Sequence, residues 1–156
     1  MRYRLNKPED FEALWTIERQ CFQPPLRFER AYLDQVTQAR NSATWVAESD
    51  AGGLVGFSVV EWKRRREGGL AAYVVTIEVL QEHRRQGVGG ELLRRMEESA
   101  QAAGAGWIWL HVDARNEAAQ RLYRGHGYDE RGAVEDFYGP GRGAQVLAKA
   151  LADGAR

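Results

Sequence analysis

Val79-Leu80-Gln81-Glu82-His83-Arg84-Arg85-Gln86-Gly87-Val88-Gly89-Gly90-Glu91-Leu92-Leu93 decides the fold: an apolar strand runs into a turn, and the turn opens a helix. The first backbone N–H groups of a helix have no internal partner, and the helix dipole favours negative charge where they point. Gly87 and Gly89 carry no Cβ, so a ligand can approach the backbone closely. A phosphate or pyrophosphate is the natural occupant. The phosphate loop of nucleotide hydrolases needs Lys and then Ser or Thr after its last glycine, and Gly90 is followed by Glu91 and Leu92. The dinucleotide fingerprint needs a small residue where Leu92 stands. Both readings fail, and a helix start without a ligand stays open at this point.

Upstream of the turn, Leu70 to Leu80 reads as a long strand. Lys63-Arg64-Arg65-Arg66 and Gly68-Gly69 connect it as a hairpin to a strand over Leu54 to Trp62, rich in β-branched and aromatic residues. Gly52-Gly53 turns that strand back onto another over Thr44 to Glu48. Before these lie a short strand at Tyr3 to Leu5, a helix started by Pro8-Glu9-Asp10 and broken by Pro24-Pro25, and a helix over Glu29 to Ala39. Downstream come a helix over Val88 to Ala103, a strand over Trp107 to Val112, a helix over Asn116 to His126 closed by Gly127, and strands over Tyr128 to Val134 and Gln145 to Leu151. The order predicts a mixed α+β sheet with one βαβ unit at its centre. No repeat or linker interrupts the chain, so residues 1–156 are expected to form one domain.

Lys+Arg and Asp+Glu both total 22 among the 156 residues, which argues against a general nucleic-acid binder. The single cysteine, Cys21, excludes an intrachain disulfide and suits a reducing compartment. No apolar run approaches the ~20 residues of a membrane span, and the start has no signal-peptide pattern. The expectation is a cytoplasmic protein that binds neither membrane nor nucleic acid, as monomer or homodimer. Three scattered histidines give no metal-ligand spacing.

Arg84-Arg85-Gln86-Gly87-Val88-Gly89, between strand and helix, resembles the acetyl-CoA pyrophosphate loop of the GNAT superfamily of N-acetyltransferases. Leu110-His111-Val112-Asp113-Ala114-Arg115-Asn116, followed by a small-residue helix carrying Leu122-Tyr123 and leaving through Gly127-Tyr128, resembles the second signature of that superfamily. The resemblance implies a mostly antiparallel central sheet of about seven strands with about four helices, matching the elements read above. Within the superfamily the chain resembles the branch that acetylates protein N-termini, including the ribosomal-protein-alanine enzymes. Cys21-Phe22-Gln23-Pro24-Pro25 matches its aromatic and proline loop, and Asp136-Phe137-Tyr138-Gly139-Pro140 its late tyrosine loop.

The resemblance also implies roles. The backbone of Ile77, Glu78 and Val79 would pair with the pantetheine arm of acetyl-CoA, and Arg84, Arg85, Gln86, Gly87, Val88, Gly89 and Gly90 would hold its pyrophosphate. Asn116 matches the residue that bonds the pantetheine arm, and is also a natural helix N-cap. Tyr123 matches the acid that protonates the departing thiolate. Phe22, Pro24, Pro25, Leu26, Phe137 and Tyr138 would border the acceptor. Where the bacterial ribosomal-protein branch commonly carries a glutamate base, this chain has His111, with Tyr73 at the matching place on the preceding strand. An imidazole titrating near 6.5 suits proton acceptance at neutral pH. Glu78 is a competing base, on the strand face opposite Ile77. The expected activity is direct acetyl transfer from acetyl-CoA to a protein or peptide N-terminal α-amine. A small-molecule amine and a non-catalytic acyl-CoA-binding module are the alternatives. The basic run Lys63 to Arg66 is expected at a solvated hairpin tip, or against an acidic partner.

Overall fold

The computed structural model describes residues 1–151. Seven strands form one sheet: β1 (Arg2–Leu5), β2 (Ser42–Glu48), β3 (Leu54–Arg64), β4 (Leu70–Val79), β5 (Ala105–Asp113), β6 (Asp129–Val134) and β7 (Ala144–Ala150). Four α-helices accompany it: α1 (Phe11–Cys21), α2 (Arg30–Gln38), α3 (Val88–Ala102) and α4 (Glu117–Gly125). The strand order is β1-β2-β3-β4-β5-β7-β6. Every pairing is antiparallel except β4 with β5, which is the βαβ unit expected around the glycine turn. β7 lies between β5 and β6, an insertion that strand patterning alone does not indicate.

The two sheet faces bury different partners. On one, α1 and α2 place Leu14, Ile17, Leu33 and Val36 on Val46, Phe57 and Val59. On the other, α3 places Leu93, Met96 and Ala100 on Val60, Ala72, Val74, Ile108 and Leu110, and Tyr123 of α4 joins them. Each fully buried aliphatic or Phe side chain here is worth about 1.5–3 kcal/mol of transfer free energy.

Two irregularities shape the centre. The β3–β4 register slips between Val59↔Thr76 and Val60↔Val74, so Val75 is an extra residue and β4 bulges there. Side chains on either side of it change face: Ala72 and Val74 pack with the α3 cluster, while Val75 packs with the α1–α2 cluster and Ile77 returns to α3. In addition, the parallel β4–β5 ladder ends at Tyr73↔Trp109. Beyond that pair β4 continues to Val79 against β3, and β5 continues to Asp113 against β7, so the sheet opens into a cleft.

Candidate active site

The cleft begins where Tyr73 and Trp109 stand side by side. Strand alternation puts Trp107, Trp109 and His111 on one face of β5, opposite the buried Ile108, Leu110 and Val112. Tyr73 shares that face across the last ladder step. Its hydroxyl lies 2.8 Å from His111 Nδ1, and the rings of Tyr73 and Trp109 meet edge-on at 4.7 Å between centroids. When Nδ1–H donates to the Tyr73 oxygen, Nε2 of His111 carries the open lone pair. Phe137 stacks on the imidazole at 3.9 Å with an interplanar angle of 13°, and the Tyr138 hydroxyl donates to the His111 carbonyl at 3.3 Å. Burial lowers the His111 pKa below the ordinary 6.5, so the ring is neutral at pH 7.

Tyr123 projects from α4 into the core beneath the same place and is 7% exposed. Burial, then the neighbouring Tyr138 and Tyr73, hold its pKa well above the usual tyrosine value, so the hydroxyl keeps its proton at neutral pH. Burial and then Asp113 push Tyr138 up to about 12. Tyr73 is likewise raised, chiefly by burial. One imidazole and three protonated phenols therefore surround the top of the cleft.

Glu78 occupies a different environment from that expected of a base. It is 2% exposed on the α1 face, where Thr76 Oγ1 donates to Oε2 at 2.9 Å. Its other oxygen faces the carboxyl of Glu18 on α1, which is fully buried and whose Oε2 accepts from the Phe28 N–H at 2.9 Å. Burial and then the Glu18 carboxylate raise the Glu78 pKa well above the carboxylate range. This carboxyl holds a proton and is walled off from the cleft mouth. Glu18 was not foreseen: its helical position looked like any charged turn.

The glycine turn keeps its N-terminal geometry. A short helical turn at Gln81–His83 precedes it, Arg85 has φ 63° and Gly87 φ 83°. Left-handed residues in such close succession aim backbone N–H groups into a concavity suited to anions. The first bond of α3 runs from Glu91 N–H to the Gly87 carbonyl, which leaves Val88, Gly89 and Gly90 with N–H groups at the open end. Three expectations need correction. Arg84 is committed elsewhere: its Nε donates to the Val79 carbonyl at 2.8 Å and its terminal nitrogen reaches Cys21 Sγ, so it clamps the end of β4 to α1. The Val79 carbonyl is thereby occupied, the Glu78 carbonyl faces Gly56 of β3, and Ile77 with the Val79 N–H remains the backbone open to the cleft. A Cβ at Gly89 would sit in ordinary contact 3.4 Å from Leu122 of α4, whereas at Gly90 one would crowd His126 at 3.1 Å. Gly87 has a positive φ and open space where a Cβ would lie, so it serves the turn and leaves the backbone approachable. Asn116 Oδ1 accepts from Ala119 N–H at 3.1 Å, so it caps α4.

Two loops border the mouth. Phe22, Pro24, Pro25 and Leu26 lie between α1 and α2, held by Arg27 Nε donating to the Phe22 carbonyl at 3.0 Å. The β6–β7 loop carries Phe137 and Tyr138 and is fixed by Arg142, whose guanidinium donates to Asp113 Oδ2 at 2.9 Å. The loops approach at Gly139, where a Cβ would lie 3.7 Å from Pro25.

A parallel ladder that opens after one tyrosine, a glycine-rich helix start at its edge and a buried tyrosine below are the two superfamily signatures in three dimensions. Residues 11–128 match the acetyltransferase (GNAT) family.

The chain belongs to that family.

An N-alpha-acetyltransferase from Sulfurisphaera tokodaii is 31% identical over 158 residues, covering 96% of this chain and 93% of that one. Streptothricin acetyltransferase from Streptomyces lavendulae is 35% identical over 91 residues, covering 56% of this chain and 45% of that enzyme. The fold matches that of Arabidopsis thaliana NAA60, solved with a bisubstrate analogue, at a TM-score of 0.84 and 22% identity over 96% of this chain and 97% of that one. The GNAT fold expectation of seven strands and four helices agrees with this likeness. Among the described residues no helix is long and apolar enough to cross a membrane.

Proposed function

We propose that this GNAT protein transfers the acetyl group of acetyl-CoA directly to the α-amine of a protein or peptide N-terminus. The observation that carries the reading is the Tyr73–His111 pair, with its 2.8 Å hydrogen bond, at the point where β4 and β5 part. The free edge of Ile77 and the Val79 N–H suits the amide groups of a pantetheine arm, and the N–H groups of Val88, Gly89 and Gly90 suit a pyrophosphate.

In the transfer, the amine nitrogen bonds to the thioester carbon, the carbon–sulfur bond breaks, the amine loses a proton and the sulfur gains one. His111 takes the amine proton. Tyr123 supplies the proton to sulfur. An α-amine with pKa ~7.7–8.0 costs about 1 kcal/mol to deprotonate at pH 7, against about 4.6 kcal/mol for a lysine near 10.4. A neutral imidazole is adequate for the first and poor for the second. The Sulfurisphaera relative supports an α-amine acceptor, and the two loops meeting at Pro25 and Gly139 supply the border of an acceptor groove.

The streptothricin relative favours a second reading, in which the acceptor is a small-molecule amine. A panel of peptides, free amino acids, polyamines and aminoglycosides, incubated with acetyl-CoA and examined by mass spectrometry, separates the two. Acetyl on peptide α-nitrogens supports the proposal; acetyl on small amines alone rejects it.

A further inference from the structure

The face of the sheet that carries Tyr73 and His111 does not end there. Register places Glu61 beside Tyr73 and Lys63 beside Ala71, so the face extends across β3 toward the β3–β4 hairpin. A cavity of about 390 Å³ lies along it, floored by Ala71, walled by Tyr73, Trp109 and His111, and edged by Glu61, Lys63, Arg64 and Arg65. That volume falls in the range of small-ligand sites and holds a few residues of extended chain. It opens directly onto the imidazole proposed to receive the amine proton.

The edge is unbalanced in charge. Three cations face one carboxylate, and the carboxylate of Glu61 lies 3.9 Å from Lys63 Nζ. Arg65 pairs at 3.7 Å with Glu67, whose side chain is 72% exposed, a contact of little worth in water. Arg64 has no ion pair among the described residues. Lys63 and Arg64 belong to β3, so the basic run is partly held on a strand and not, as expected, wholly at a solvated tip.

We infer that this cavity is the subsite for the residues that follow the acetylated amine, and that it selects acceptors with acidic side chains at their fifth to seventh positions. The inference rests on the N-terminal acceptor reading. Along β3 Lys63 lies two residues beyond Glu61, a rise of about 6.6–6.8 Å. An extended acceptor whose amine sits at His111 advances by the same rise, bringing its third residue level with Trp109, Tyr73 and Glu61, its fifth level with Lys63 and its seventh level with Arg65. Apolar stems against Trp109 and Ala71 and carboxylates against the basic edge fit both the floor and the rim. Glu61 disfavours a carboxylate at the third residue, which places the preference downstream of it.

The test uses three peptides with the same first four residues and with Glu, Gln or Arg at positions five to seven. At low salt the intact protein should acetylate the Glu peptide with kcat/KM at least about tenfold above the Arg peptide, the difference lying in KM and shrinking at high salt. A Lys63→Glu/Arg65→Glu variant should reverse that order. Equal rates for all three peptides, or an unchanged order in the variant, would overturn the subsite while leaving N-terminal acetylation intact. No acetylation of any peptide would overturn the acceptor reading and this inference with it.

Discussion

The carboxyl groups of Glu18 on α1 and Glu78 on β4 face each other in the core, and one oxygen of each lacks any other hydrogen-bond partner among the described residues. Two ionised carboxylates cannot share such a space, so one proton is held between them. Through Glu18 and the Phe28 N–H, that proton ties the acceptor-side loop to the strand that borders the cleft.

Stability should therefore depend on pH. The folded pKa of Glu78 is raised above its unfolded value, so its contribution is fully present below about 4.5 and is lost as pH rises through the folded pKa. Melting temperature should fall as pH is raised from 5 to 9. In Glu78→Gln the amide donates to Glu18 permanently, and this part of the pH slope should disappear. Glu78→Ala strands the Glu18 carboxylate and should cost about 1–3 kcal/mol. Parallel pH slopes in wild type and Glu78→Gln would remove the shared proton.

Coenzyme A should bind at the start of α3. Gly89→Glu, the obvious substitution, would drive its side chain toward Leu122 and confuse folding with binding. Arg85 and Gln86 are both exposed, so Arg85→Glu/Gln86→Glu is the cleaner test. It places two carboxylates beside the expected pyrophosphate and should weaken coenzyme A at least about tenfold by calorimetry with an unchanged melt. Unchanged affinity would place the ligand elsewhere.

Tyr123→Phe removes one hydroxyl from a packed ring that also meets Tyr128 edge-on at 5.6 Å. The variant should fold, bind acetyl-CoA normally and lose roughly 10²–10⁴-fold in kcat. Weaker binding with normal turnover would make the hydroxyl a binding group.

Much of this arrangement was legible in the sequence because it follows from local periodicity. Alternation put Trp107, Trp109 and His111 on one strand face, the family resemblance set Tyr73 on the strand beside them, and the glycine spacing located the helix start. What was not legible depends on contacts distant in sequence. Alternation says which residues share a face but not which strand lies alongside, so β7 between β5 and β6 went unseen. The extra residue at Val75 changes the facing of everything after it, and nothing in the stretch from Val74 to Val79 marks it. Glu78 looked like an accessible carboxylate because its partner, Glu18, lies on α1, distant in sequence. Arg84 looked like a phosphate ligand because the clamp it makes on Val79 and Cys21 exists only once α1 packs on β4.

The central claim is that His111, held by Tyr73, takes the proton from the amine. The most direct measurement is the pH profile of kcat/KM for wild type and His111→Gln on one peptide, which cancels the titration of the substrate's own α-amine. Since the folded pKa of His111 is lowered, wild type should lose activity as pH falls through a limb below 6.5, where the imidazole becomes protonated. His111→Gln should be slower throughout and lack that limb, because an amide accepts a hydrogen bond but not a proton at this pH. The same limb and the same rate in both proteins would contradict the account and leave His111 as a ring packed between Trp109 and Phe137.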